Sequence, residues 1–296
     1  MTALVDTAGL SRVTAAPLRF RGHVSFAHAL RSEWIKFFTL RSTYWTLGLT
    51  VVGMVLFALM LSSGASSLAE TSDDATLAGF GATVATFGYL AGQITVAVLG
   101  ALIITGEYST GMIRSTMTAV PQRLPALFAK GAVLAVVTYI TAEIGVFASY
   151  LATLPVLSPY DMQADLGDPE TVRALLGAGL YVMGIALLAF GIGAILRNSA
   201  GTIAAILGIV LLIPIVVSIA GMSLEWVADV APYLPAAAGE QIMAVGGGNP
   251  LEGTDPSAQG AALEPVLTPW QGIGLLGVYV AAVLAAASLL MRRRDV

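Results

Sequence analysis

The sequence predicts an all-α membrane protein with six transmembrane helices and the N- and C-termini cytoplasmic, preceded by an amphipathic interfacial helix. Its 296 residues are 57% hydrophobic and only 11% charged, with a mean hydropathy of +0.84, whereas soluble domains are about one-quarter charged. Apolar runs of about 20 residues can cross a hydrocarbon core of about 30 Å. Such runs occupy residues 44–62, 84–105, 130–153, 174–196, 200–221 and 271–291. They lack the alternation of barrel strands, and helices satisfy their own backbone hydrogen bonds in lipid.

Basic residues predict how the six helices are oriented. Of the 14 Lys and Arg residues, all but Arg173 precede the first run, follow the last, or lie at the junctions of runs two and three or four and five. Cytoplasmic segments near helix ends are enriched in Lys and Arg. These junctions and both termini are therefore predicted to be cytoplasmic. Acidic residues gather in the opposite segments, which include 161–170 and the predicted extracellular segment 222–270.

The N-terminal region divides into two parts. Residues 1–23 are polar and basic without the apolar core of a signal peptide, so they are predicted to form a flexible cytoplasmic N-terminus. In residues 24–43, apolar and charged residues alternate at helical spacing, which is typical of a helix lying in the headgroup layer. The residues best suited to that layer are Trp34, Lys36 and Arg41.

Several kinds of active site are missing from the sequence. Neither of the two lysines, Lys36 and Lys130, follows a glycine as a nucleotide-binding P-loop requires. With no cysteine the chain has no thiolate chemistry and no Cys-based metal site. His23 and His28 have no third ligand nearby, and the acidic loop 161–170 lacks the glycine of a calcium-binding EF-hand loop. We therefore expect no enzymatic activity and no cofactor in this chain, and no nucleic-acid partner.

The segment that follows the second run is longer than a tight turn and can be helical as far as Pro121. Its residues Glu107, Thr110, Gly111 and Arg114 have the spacing i, i+3, i+4, i+7, so they share one helical face. The two small residues leave a notch that another protein surface could approach closely. On these residues alone, a capped, solvated helix end that anchors the second span remains an alternative interpretation.

Two polar residues are predicted to lie inside the membrane. Gln93 falls in the second run and Glu143 near the middle of the third. A charged side chain at mid-membrane costs about 2.5–3.5 kcal/mol on insertion scales. Glu143 must therefore be protonated, hydrogen-bonded or in contact with a wet cavity. A structural acid bonded to a neighbouring helix, a residue of the substrate pathway and a proton relay remain open.

The later part of the chain carries packing and loop features. Gly177, Gly184 and Gly191 recur every seven residues in run four, and Gly201 and Gly208 repeat that spacing in run five, so both stripes are predicted to let helices approach closely. Pro214 is expected to kink the fifth helix. The first half of 222–270 can form short re-entrant or surface helices, either as a passive connector or as a lid over an outward exit.

Four strings of residues resemble one known family. Gly-Glu-Tyr-x-x-Gly-x-x-Arg at 106–114 is similar to the signature of ABC-2-type transporter permeases at the cytoplasmic end of their second membrane helix. Ser-Glu-x-x-Lys within 32–43 resembles their N-terminal interfacial helix, and 233–243 resembles their Tyr-Leu-Pro segment before the last span. The turn at 197–202 is also similar. Glu240 departs from the family pattern, which has a commoner polar residue there.

The resemblance implies a membrane subunit of an ABC exporter in the cell membrane. The segment 107–120 would then be the coupling helix that docks on a separate ATPase subunit, and the ATPase would bind ATP and Mg²⁺. The coupling residues implied are Glu107, Tyr108, Thr110, Gly111 and Arg114. Two permeases, identical or similar, would pair within the lipid bilayer to form the pathway, and the apolar interior favours a hydrophobic or amphipathic cargo.

Two other functions are compatible with the residues. An ion-coupled secondary transporter would use Glu143 as its coupling acid and would work without a partner. A non-transporting membrane scaffold or immunity protein would need neither an ATPase nor a coupling ion.

Overall fold

The computed structural model describes residues 26–65, 79–109, 123–245 and 266–293. These residues form helices with no β-strand, and six segments among them are long and apolar enough to cross a membrane: Arg41–Ser62, Phe80–Ser109, Leu124–Tyr160, Pro169–Leu196, Ser199–Gly221 and Pro269–Arg292. The predicted six-helix, all-α membrane fold is therefore confirmed. The helices extend past most of the predicted runs because polar turns continue them beyond the apolar core. The predicted N-terminal region 1–23 lies outside the described residues.

We number the α-helices of the described residues in chain order. They are α1 (Phe26–Thr39), α2 (Arg41–Ser62), α3 (Phe80–Phe87), α4 (Tyr89–Ser109), α5 (Arg123–Leu157), α6 (Pro169–Leu196), α7 (Ser199–Leu207), α8 (Ile213–Gly221), α9 (Glu225–Val230), α10 (Pro235–Glu240) and α11 (Pro269–Arg293). The second span consists of α3 and α4, and the fifth of α7 and α8. Short 3₁₀ turns follow α5, α9 and α10.

The predicted interfacial helix is shorter than 24–43. Leu40 is extended and separates α1 from α2, so the predicted segment 24–43 is divided between two helices and Arg41 is the first residue of α2. One face of α1 buries Ala29, Glu33 and Phe37 against the protein, with α5 as its main neighbour. Trp34 lies on the exposed side of α1.

The second span is interrupted at Gly88, where it touches the first span. A β-carbon built on Gly88 would lie 2.5 Å from the backbone oxygen of Met54. Only a residue without a side chain allows this approach of the two backbones. The junction of α3 and α4 is thereby fixed against the middle of α2.

The centre of the bundle is α6, which packs against α4, α5 and α11. Its glycine stripe receives side chains from the later elements, as predicted: Gly177 faces Ile242, Gly184 faces Leu276 and Gly191 faces Val283. Asp168 caps the start of α6 by accepting hydrogen bonds from the N–H groups of Glu170 and Thr171. These backbone donors, together with the Thr171 hydroxyl, lower the pKa of Asp168 below its ordinary value.

The fifth span lies at the periphery. Only 11% of its most apolar window is buried, compared with 67% for the fourth span. A π-helical stretch, Gly208–Leu212, ends two residues before Pro214. Proline has no N–H to donate, so the regular hydrogen-bond ladder is interrupted there. Gly208 meets no described atom within 4 Å, so the prediction of close packing at this glycine is wrong for the described part of the chain.

The segment between the fifth and sixth spans, predicted to be extracellular, dips back into the bundle after α9. Ala236 and Ala238 of α10 are buried, and Ile242 and Met243 in the following turn are almost completely buried. These short helices agree with the prediction for the first half of 222–270. Residues 246–265 lie outside the described part of the chain.

Candidate functional site

Four charged side chains meet at the Ser109 end of the second span. Lys130 of α5 lies between two acids and donates hydrogen bonds to Glu33 of α1 and to Glu107 of α4, the latter at 2.8 Å. Lys36 donates to the Glu33 carboxylate at 2.7 Å and lies 3.8 Å from Glu107 Oε1. We call these four residues the ionic cluster. Its two carboxylates and two ammonium groups balance each other.

Most of the ionic cluster is buried. Glu33 is 5% exposed and Glu107 and Lys130 are 8% exposed, whereas the Lys36 side chain is 39% exposed. Burial alone would raise the pKa of Glu33, but the ammonium groups of Lys130 and Lys36 outweigh it and lower the pKa below its ordinary value. Buried charges are tolerated only when they are paired in this way. The cluster is therefore a fixed connection between α1, α4 and α5.

The turn between the fourth and fifth spans contacts the same end of α4. Arg197 has a left-handed backbone, φ 57°, and its guanidinium group lies 5.0 Å from the centre of the Tyr108 ring. Ser199 donates a hydrogen bond to the Thr105 hydroxyl at 2.9 Å. Asn198 caps α7 by accepting a hydrogen bond from the Gly201 N–H. The end of α4 is thus held by α1 and α5 through the ionic cluster and by this turn.

A second polar group, centred on Tyr181, lies farther along the second span from the ionic cluster. The Tyr181 hydroxyl of α6 donates to Gln93 Oε1 at 2.5 Å and lies 3.3 Å from the Glu240 carboxylate at the end of α10. The Tyr89 ring meets Tyr181 edge-on, with centroids 5.4 Å apart. Gln93 is fourteen residues before Glu107, which places this group about 21 Å from the ionic cluster along the helix. It connects α4 and α6 to α10.

Glu143 is placed against the neighbouring helix α6. A β-carbon built on Gly179 would overlap its carboxylate, so the glycine makes room for the acid. The Tyr139 hydroxyl and the backbone of Gly179 lie close to this carboxylate. Among the described residues, neither carboxylate oxygen has a hydrogen-bond partner of normal geometry.

The predicted site residues are therefore distributed over several places. Glu107 turns into the protein, Tyr108 contacts Arg197, and Lys36 belongs to the ionic cluster. The Trp34 and Phe38 rings are tilted against each other with centroids 4.9 Å apart, and Arg41 is exposed. Thr110, Gly111 and Arg114 lie outside the described residues.

Sequence reasoning missed the partners that complete these sites. They are Glu33 and Lys130 in the ionic cluster, and Tyr89, Tyr181 and Glu240 in the polar group centred on Tyr181. The sequence did contain a signal for the ionic cluster. Glu33 is an acid on the otherwise apolar buried face of α1, and a buried acid needs a cation as its partner. Nothing in the sequence indicated that Glu240 would reach Tyr181.

The one basic residue predicted on the outer side also has a defined role. Arg173 donates a hydrogen bond to the backbone carbonyl of Ala244, at the end of the re-entrant turn. Within the described segments, no group of three or more His, Asp or Glu side chains is arranged to hold a metal ion. No family model matches the chain, and no curated protein is significantly similar to it.

Proposed function

We propose that this chain is the membrane-spanning permease subunit of an ABC-2-type exporter in the cell membrane, with both termini cytoplasmic. A second permease pairs with it to form the pathway. A separate ATPase binds ATP and Mg²⁺ and docks on the segment 107–120. The observation that carries the proposal is the ionic cluster, because it joins the first part of that segment to α1 and α5 through Glu107.

The ionic cluster supplies a route for force in this proposal. A push on the 107–120 segment moves Glu107, and the buried pairs with Lys130 and Glu33 carry α5 and α1 with it. Since α4 is continuous from Ser109 to Tyr89, the same motion reaches Gln93. ATP would bias the equilibrium between two access states by binding one of them more tightly.

The outer segment is the proposed exit gate. Glu240 reaches Tyr181, and Arg173 holds the backbone of Ala244, so α10 and the following turn are attached at both ends. Movement of α4 at Gln93 would disturb the first attachment. Cargo would leave when α10 withdraws from the bundle.

Co-purification tests the partner and a matched pair of variants tests the coupling. The tagged chain, expressed in its native host, should retain a P-loop ATPase, and reconstitution should give cargo-stimulated ATP hydrolysis. Lys130→Met should keep the ATPase bound but remove the stimulation, whereas Arg292→Gln, which removes an exposed charge from α11, should not. A chain that exports cargo without any ATPase would overturn the proposal.

One observation favours a second candidate, an ion-coupled secondary transporter. The Glu143 carboxylate is buried without a hydrogen-bond partner among the described residues, as a proton-carrying acid would be. This function predicts uptake by vesicles containing only this chain under a proton gradient, and loss of that uptake in Glu143→Gln. If such vesicles show no uptake under a proton gradient, the secondary-transporter function is excluded.

A further inference from the structure

A half-enclosed cavity lies beside the ionic cluster, between the α1–α2 elbow and the adjoining ends of α4 and α5. Its volume is about 310 Å³, which is within the range of small-molecule sites, about 300–1,000 Å³. Its walls are mainly apolar and include Phe37, Leu40, Leu102, Ile103 and Val133. Leu40 and Leu102 are exposed, so apolar side chains surround an opening at the surface of the bundle.

The exposed charge at this opening is positive, whereas the two acids that also line the cavity, Glu33 and Glu107, are buried and paired with Lys130. Lys36 lines the cavity and uses one of its three N–H donors on Glu33, and its side chain is 39% exposed. Arg31 of α1 and Arg41 of α2 are also exposed. The only acid between residues 26 and 62 is Glu33, which is buried and paired with Lys130. An apolar chamber with a cationic entrance is complementary to a lipid with an anionic headgroup.

We infer that this cavity binds one anionic phospholipid from the leaflet that contacts α1. Its acyl chain lies against Phe37, Leu102 and Val133, and its phosphate accepts hydrogen bonds from Lys36 at the entrance. Basic groups at a membrane surface attract anionic lipids, and basic pockets between membrane helices bind their headgroups. The inference does not depend on the transport function proposed above. It makes the ionic cluster sensitive to membrane composition, because the phosphate competes with Glu107 for Lys36.

Glycines make it possible to fill the cavity without changing any charge. Gly106 lines the cavity, and a β-carbon built on it meets no described atom within 4 Å. Gly106→Leu should therefore occupy the space of the acyl chain while leaving the backbone in place. Gly48→Leu is the matched control, because Gly48 has equal room but does not line the cavity. Lys36→Gln removes the headgroup contact, and Arg292→Gln removes an exposed cation elsewhere.

The experiment titrates the purified full chain in detergent with phosphatidylglycerol or with phosphatidylcholine of the same acyl chains, and counts bound lipids by native mass spectrometry. We expect one phosphatidylglycerol to bind about fivefold more tightly than phosphatidylcholine, the value of one cationic contact. Lys36→Gln should abolish that preference, and Gly106→Leu should abolish binding. Gly48→Leu and Arg292→Gln should bind as the unchanged chain does. Glycerophosphoglycerol, which has no acyl chain, should not bind.

Several results would overturn the inference. If the unchanged chain binds phosphatidylglycerol and phosphatidylcholine with equal affinity, the site has no preference for an anionic lipid. This comparison does not depend on the folding of any variant. Undiminished binding to a monodisperse Gly106→Leu chain places the lipid elsewhere. Equal binding of glycerophosphoglycerol makes the site a soluble-phosphate site. If the unchanged chain forms a dimer without lipid and the Gly106→Leu substitution dissociates that dimer, the cavity is occupied by a second copy of the chain and not by a lipid.

Discussion

Replacing Lys130 with methionine measures how strongly the ionic cluster holds the bundle together. Methionine keeps most of the length of the lysine side chain and removes its charge. Glu33 and Glu107 then lose the buried cation they share, although Lys36 remains 2.7 Å from Glu33 and 3.8 Å from Glu107. Breaking a buried ion pair costs about 3–5 kcal/mol. Because Lys36 still compensates one acid, we expect the lower end of that range, about 3 kcal/mol.

The assay is unfolding of the purified chain by sodium dodecyl sulfate, followed by tryptophan fluorescence. A double-mutant cycle with Glu107→Gln isolates the pair: the double variant should lose less than the sum of the two single losses, because no unpaired charge remains buried. Arg292→Gln is the control for a lost exposed charge and should change the unfolding free energy by less than about 0.5 kcal/mol. A loss for Lys130→Met no greater than that control, or strictly additive losses, would refute the ion-pair reasoning.

Thermal melts of the detergent-solubilised chain check three further positions. The pKa of Glu33 is held below its ordinary 4.5, so its stabilising contribution is present above that pH and lost as the pH falls further; the melting temperature should drop there, and less so in Glu33→Gln. Asn198→Ala should cost about 1 kcal/mol through the lost cap of α7, and Asn198→Ser should retain most of it. Gly88→Leu must displace the Met54 backbone and should cost at least about 1–3 kcal/mol, whereas Gly48→Leu has room and should not.

The six spans could be predicted because each is a continuous apolar run, which composition reveals without any knowledge of its neighbours. The same is true of the glycine stripe of α6, since a spacing of seven residues fixes one face of a helix. Pairings between distant residues carry no such local pattern. Glu33 and Lys130 are 97 residues apart and Tyr181 and Glu240 are 59 apart, and helical periodicity tells which face a residue occupies but not which helix that face meets. The helix boundary at Leu40 was not predicted for a related reason, since it lies within an uninterrupted amphipathic pattern.

A single continuous helix, α4, connects the two polar sites. Gln93 and Glu107 are separated by fourteen residues, which is close to four turns of a helix, so they lie on nearly the same face. One end of that face is fixed to Lys130 and the other to Tyr181. The helix between them is apolar, without proline, and closely packed on α6, so bending it would sacrifice packing along its whole length. Tilting it as a unit keeps its internal hydrogen bonds and shifts both its packing on α6 and the polar contacts at its two ends. If the proposed coupling is right, we expect a displacement applied at Glu107 to reach Tyr181 and, through it, Glu240.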